Sequence, residues 1–158
     1  MTADNQQERL DPLWIVGFTD GEGCFHVSLN KNPKMTLKYQ VLPEFRIVQN
    51  KKDEVLLSKI KEYFGFGDVV VNRIDHHGTR MEFRARGLEN LNNIKEFFEK
   101  FELKTSKKKD FEIFSEIIDL MNKKEHLTNQ GIDKIRELTL KMNRKAIIRS
   151  LESSENIR

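Results

Sequence analysis

The chain has 158 residues, of which 37% are apolar and 34% charged, with a formal net charge of +3, so a single domain with a real core and a heavily charged surface is expected. No apolar run approaches the roughly 20 residues needed to cross a bilayer, and the first nine residues lack the apolar stretch of a signal peptide, so the expectation is a non-secreted, intracellular protein without a membrane partner. Cys24 is the only cysteine, which excludes an internal disulfide and any multi-cysteine zinc site, and it reads as a small buried side chain.

Asp11-Pro12 is a suitable start for a first helix, with Asp at the N-cap and Pro at the first helical position. The helix is expected to reach Thr19 or Asp20 and to stop at the glycines of Asp20-Gly21-Glu22-Gly23. Strands follow at Cys24 to Leu29 and Lys38 to Gln49. The second has a clear period of two, with Tyr39, Val41, Pro43, Phe45 and Ile47 on one side. Pro43 cannot donate to a ladder and marks an edge or a bulge.

Lys52 to Phe64 carries Val55, Leu56, Lys59, Ile60 and Tyr63 at helical spacing, with Gly65 as its stop. Strands at Asp68 to Arg73 and Arg80 to Arg86 flank a turn built on His76, His77 and Gly78. Arg80, Glu82, Arg84 and Arg86 alternate with Met81, Phe83 and Ala85, so one sheet face is densely charged. Three helical patterns complete the chain, at Leu88 to Phe101, Lys108 to Asn122 and Ile132 to Arg144, the last after a polar turn at Leu127 to Gly131. The order α-β-β-α-β-β-α-α-α implies an α+β fold: an antiparallel sheet with helices on one face and the other face free. The domain is expected over 11–144, between polar tails at 1–10 and 145–158.

Charge is unevenly distributed. Between Cys24 and Asn50, Lys31, Lys34, Lys38 and Arg46 face only Glu44; between Asn72 and Gly87, Arg73, Arg80, Arg84 and Arg86 face only Asp75 and Glu82. A basic bias confined to strands and loops is the footprint of a phosphate-contacting face, against the plainer reading of solvated charge. His26, His76 and His77 lack the partners a zinc or general-base role would need, His126 is expected to make a local hydrogen bond rather than do chemistry, and Trp14, Phe97, Phe98, Phe101, Phe111 and Phe114 read mostly as core.

Ile15-Val16-Gly17-Phe18-Thr19-Asp20-Gly21-Glu22-Gly23 resembles the LAGLIDADG motif of homing endonucleases at all nine positions, with Gly17, Asp20 and Gly23 matching its letters and Glu22 keeping its final acid. Phe45 to Gln49, Leu103 to Phe111, Lys124 to Gly131 and Met142-Asn143 are also similar to the single-motif branch of that family, so the resemblance covers about residues 11 to 144. It implies an αββαββα core with a saddle-shaped antiparallel sheet, extra C-terminal helices, and a homodimer that binds a long, partly palindromic double-stranded DNA site and hydrolyses one phosphodiester per strand. The implied metal is Mg²⁺, with Mn²⁺ substituting and Ca²⁺ binding without supporting cleavage. The implied location is an organelle (chloroplast or mitochondrion) or a microbial cytoplasm, as for an intron-encoded protein.

Carried onto this sequence, the resemblance makes Glu22 the metal ligand with the Gly21 carbonyl beside it. Gln49 orders the attacking water, and Lys107 approaches the scissile phosphate. Trp14, Gly17, Phe18, Asp20 and Gly21 form the dimer seam, with Asp20 capping or bracing the helix end. Asp53 stands where the branch carries a second basic residue, a role that Lys51 or Lys52 could take. The DNA-facing residues are expected to be Ser28, Asn30, Lys31, Lys34, Lys38, Gln40, Leu42, Glu44, Arg46, Val70, Asn72, Arg73, Arg80, Glu82 and Arg84, reading base edges in the major groove or holding phosphate. Two rival functions share the scaffold: an intron RNA maturase and a DNA-binding protein that does not cleave.

Overall fold

A computed structural model describes residues 9–142. Helix α1 (Pro12–Glu22) leads directly into strand β1 (Gly23–Lys31), followed by β2 (Tyr39–Asn50) and a 3₁₀ turn at Lys51–Asp53. Helix α2 (Glu54–Phe64), strands β3 (Asp68–Asp75) and β4 (Gly78–Ala85) and helix α3 (Leu88–Lys100) complete an αββαββα core. Beyond it come α4 (Lys107–Asn122), a 3₁₀ turn at Glu125–Leu127 and α5 (Asn129–Met142). The α+β architecture with extra C-terminal helices is the expected one; the tails, apart from Arg9 and Leu10, lie outside the described residues.

Helix α1 begins as its sequence requires: Asp11 Oδ1 accepts from the amides of Leu13 (2.7 Å) and Trp14 (3.2 Å), with Pro12 just inside. Its end differs from expectation. The helix continues through Gly21 and Glu22, and Gly23 stops it by turning to extended backbone (φ −76°, ψ 159°) while donating to the Thr19 carbonyl. A glycine weakens a helix interior by only about 1 kcal/mol, too little to end one already nucleated. Gly23 is needed for space: a Cβ there would lie 2.5 Å from Thr19 Cγ2.

The described strands form one sheet in the order β1-β2-β4-β3. β2 pairs antiparallel with β4 from Phe45↔Ala85 to Asn50↔Arg80, and β4 pairs antiparallel with β3 from Asp68↔Arg84 to Asp75↔Gly78. Pro43 lies before the first β2–β4 pair, where its missing N–H leaves no bond to β4 unmade.

The chain packs as two compact units. The first holds residues up to His26 together with Glu44–Lys108. Phe45 is its centre, with ring centroids 5.0 Å from Phe25, 5.5 Å from Phe98 and 6.3 Å from Phe83; Phe64 stacks on Phe83 at 6.0 Å and meets Phe97 edge-on at 5.1 Å. These contacts lock α2 and α3 onto the apolar side of β2 and β4, and each fully buried large side chain contributes about 1.5–3 kcal/mol. On α2 the buried residues are Leu57 and Ile60, whereas Val55, expected among the inward positions, is 69% exposed because two residues before Leu57 it lies on the opposite face of the helix.

The second unit holds Val27–Pro43 with residues from Lys109 on. Phe111, Phe114, Ile117 and Ile118 of α4 and Ile132, Ile135 and Leu138 of α5 supply most of its core. α5 starts three residues earlier than its apolar pattern indicates. Thr128 Oγ1 accepts from the Gly131 amide (3.0 Å) and donates to the Glu125 carbonyl (2.8 Å), which caps the helix at Thr128. No helix among the described residues is long and apolar enough to cross a membrane.

Candidate active site and charged sheet face

The end of α1 delivers three consecutive polar groups with different surroundings. Thr19 is buried, and its carbonyl accepts from the Gly23 amide and from Lys107 Nζ at 3.0 Å. Asp20 is turned toward the segment before α4: Oδ2 accepts from the Lys104 amide (2.9 Å), and Oδ1 from the Thr105 amide (3.0 Å) and hydroxyl (2.7 Å). Partial burial raises the Asp20 pKa, but those three hydrogen bonds and the nearby Lys107 charge outweigh it and hold the carboxyl below its ordinary value. Glu22, the last helical residue, is exposed.

The carboxylates at positions 20 and 22 are thus divided by environment. One ties the helix end to a segment more than eighty residues later in the chain, and the other stays open at the surface. The Gly21 carbonyl lies in the last helical turn, whose carbonyls have no intrahelical donor. Glu22 and Gly21 therefore form an all-oxygen donor set, which fits a hard divalent cation. No cluster of three or more His, Cys, Asp or Glu side chains suited to a metal occurs among the described residues, so any cation here would take further oxygens from water, phosphate or another chain.

Gln49 is the penultimate residue of β2, half-buried and paired with Met81 of β4. The neighbouring Asn50 accepts from the Lys52 amide at 3.1 Å and so caps the turn that carries Lys51 and Lys52, both exposed. Asp53 follows at the N-cap of α2 without a side-chain capping bond.

Helix α1 also exposes an unusual face. Leu13 is 67% and Trp14 42% exposed, Trp14 stacks on Phe18 at 4.8 Å, and a Cβ at Gly17 or Gly21 would meet nothing within 4 Å. Trp14 is therefore not core, a correction to its reading as a buried aromatic. Its position in the first turn of α1 turns the ring away from Ile15 and Val16, which are buried.

The charged side of the first unit's sheet is set by strand register. Arg46 stands opposite Arg84, Val48 and Val70 flank Glu82, and Arg80 lies between Asn50 and Arg73. A shift between Val71 and Arg73 inserts Asn72, which re-aims the end of β3 and brings Asn72 Nδ2 within 2.8 Å of Glu82 Oε2. Two expected readers, Glu44 and Glu82, are buried, at 8% and 3% exposure, and both are ion-paired. Cys24 is exposed rather than buried, because the alternation that sends Phe25 and Val27 inward sends Cys24, His26 and Ser28 to the other side. His26 is half-buried there; burial first and the Arg46 charge second lower its pKa, with Glu44 opposing them.

In the second unit, Asn30, Lys31 and Lys34 are exposed and Leu42 is 39% exposed. Ser28 Oγ donates to the Leu42 carbonyl (3.4 Å), and Asn32 Nδ2 donates to Gln40 Oε1 (3.3 Å). Lys38, at φ 61°, donates from Nζ to the Pro33 carbonyl at 3.1 Å. The connection between β1 and β2 is thus a formed loop carrying Lys34 and Lys38, with Lys31 at the strand end before it.

The comparisons with known proteins agree with this geometry. Residues 15–118 match the family model described as LAGLIDADG endonuclease. The chain belongs to the LAGLIDADG endonuclease family. It is 46% identical to the homing endonuclease I-TnaI, with a TM-score of 0.80, covering 91% of this chain and 97% of that one. It is also similar to the LAGLIDADG homing endonuclease I-LtrWI, solved bound to target DNA, at 34% identity and a TM-score of 0.80, over 86% of this chain and 45% of that one. Among curated proteins it is 38% identical over 138 residues to the probable intron-encoded endonuclease 2 of Neurospora crassa, over 85% of this chain and 29% of that protein. The chain therefore spans less than a third of that curated relative's length. Within the LAGLIDADG core, sequence reasoning missed the segment that holds Asp20 and the outward placement of Cys24. The Lys104 and Thr105 partnership had no local signal, whereas Cys24 could have been placed from the parity of Phe25 and Val27.

Proposed function

We propose that this LAGLIDADG chain is a site-specific double-strand DNA endonuclease that works as a homodimer with a divalent metal. The observation that carries the reading is the exposed Glu22 carboxylate at the end of a helix whose preceding acid, Asp20, is already committed to hydrogen bonds. The DNA-bound state of I-LtrWI and the names of the relatives support the substrate class. The open helical glycines Gly17 and Gly21, beside exposed Leu13 and Trp14 and half-buried Phe18, favour close approach of a second copy along α1.

When bound, a divalent cation relieves negative charge on the phosphate and activates a water. Glu22 and the Gly21 carbonyl would hold it, and Mg²⁺ would suit an oxygen set that leaves places for water and phosphate. Lys107 is fixed by its bond to the Thr19 carbonyl, so its charge stands at the helix end where the phosphate arrives. The Gln49 amide can both donate and accept, as ordering a water requires. Lys31, Lys34, Lys38, Arg73 and Arg80 contact phosphate or bases; Ser28, Asn30, Gln40, Leu42, Arg46, Val70, Asn72 and Arg84 read base edges.

The test is a plasmid library of randomised sites incubated in Mg²⁺, in Ca²⁺, and with Glu22→Gln. Defined double-strand cuts in Mg²⁺ that are lost in Ca²⁺ and in Glu22→Gln, with binding retained, are expected. Site-specific binding without cutting in any divalent metal would refute the nuclease and leave a DNA-binding protein; preference for structured RNA would favour the maturase.

A further inference from the structure

We infer that Glu44 and Glu82 do not read bases but position the arginines that do. The inference rests on the reading of the charged sheet face as a DNA surface, and it concerns how that surface obtains selectivity.

Both carboxylates lie on the charged side of the sheet, yet they are among its most covered groups, at 8% and 3% exposure. Their partners follow the same plan on neighbouring strands. On β2, Glu44 Oε1 stands 3.3 Å from Nε of Arg46, two residues on, while Oε2 takes Arg86 Nε (2.8 Å) and Nη2 (2.7 Å). On β4, Glu82 Oε1 stands 3.3 Å from Nη1 of Arg84, two residues on, while Oε2 takes the Asn72 amide at 2.8 Å. In each case one oxygen faces the arginine on the same side of its own strand, and the other faces a group from elsewhere.

Register explains the need. Arg46 and Arg84 are direct cross-strand neighbours, and like charges in that relation repel. A buried carboxylate beside each arginine offsets the repulsion and draws its guanidinium to one place on the sheet by charge. Glu44 takes N–H donors of Arg86, whereas at Arg46 and Arg84 the carboxylate is an ion-pair partner at 3.3 Å and Arg46 Nε makes no hydrogen bond, so the donor fork of both is left for guanine. The arginine side chains remain partly open, at 29% for Arg46, 27% for Arg84 and 59% for Arg86. A carboxylate with both oxygens occupied and its surface covered cannot reach a cytosine amine. Arginines fixed before binding lose less freedom on contact with the base, which is where selectivity gains.

The experiment selects bound duplexes from a randomised library, without cleavage, using wild type, Glu82→Gln, Arg84→Ala, Asn72→Ala, Glu44→Gln, Arg46→Ala and Arg86→Ala. Arginine Nε–H NMR signals of the free proteins are recorded alongside. Glu82→Gln is expected to relax preference at the same base pairs as Arg84→Ala and Asn72→Ala together, lowering the ratio of specific to non-specific binding about tenfold. Glu44→Gln is expected to do so at the positions of Arg46→Ala and Arg86→Ala. In the free proteins each Glu→Gln change is expected to broaden or shift its partner arginine signals and to lower the melting temperature by several degrees while the chain stays folded at about 25 °C. A new preference at one base pair that no arginine variant affects would overturn the inference and make the glutamate a direct reader. Unchanged selectivity, or unchanged arginine signals, would also overturn it. If wild type selects no duplex, the DNA reading fails, and the arginine signals still decide whether the glutamates position them.

Discussion

Asp20 and Glu22 sit two residues apart in the same motif with opposite fates. Hydrogen bonds to a charged group are among the stronger polar contributions, and Asp20 receives three at partial exposure. Asp20→Asn should therefore cost about 1–2 kcal/mol of stability, read from urea unfolding at neutral pH. Because the folded chain holds the Asp20 carboxyl below its ordinary value of 3.8, its contribution is fully present above that pH and is lost as pH falls through the lower folded value. Wild type should thus lose more stability than Asp20→Asn on acidification below about pH 4. Equal acid sensitivity of the two would show that the Lys104–Thr105 contact does not hold the carboxylate.

At the scale of elements, two glycines with opposite surroundings make a paired test. A Cβ at Gly131 would lie 1.8 Å from the Glu125 carbonyl oxygen, so Gly131→Ala must separate α5 from the preceding 3₁₀ turn, at a cost of about 3 kcal/mol or more. A side chain at Gly17 meets nothing within the chain, so Gly17→Leu should leave the fold of each copy intact and help α1 by up to about 1 kcal/mol. The same change should abolish self-association in sedimentation velocity if α1 packs against a second α1. Retained dimers would require a different seam.

For the whole molecule, net charge of +3 is a weak predictor, and the placement of charge carries the argument. If Lys31, Lys34, Lys38, Arg73 and Arg80 of two copies meet phosphate, the log of the DNA association constant should fall with the log of salt at a slope of about −9. Fluorescence anisotropy between about 50 and 200 mM salt measures it. A slope near zero would remove these residues from the phosphate surface.

The local pattern of the chain sufficed for the helices, the strands, their order and the acid at the end of α1. Periodicity, Asp11-Pro12 at one helix start and Gly65 at a helix end are all read within a few residues. The end of α1 was misjudged because helix cooperativity overrides two glycines, and Thr19 needs Gly23 rather than Gly21 beneath it. Which acid would be tied down, which arginines would share a carboxylate, and that Asn72 would bulge toward Glu82 depend on groups brought together from distant segments. A sequence records the type of each charged side chain and the face it takes on its strand. Whether that charge meets water or an opposite charge is decided only when the strands find their register and the helix ends meet the loops that cover them.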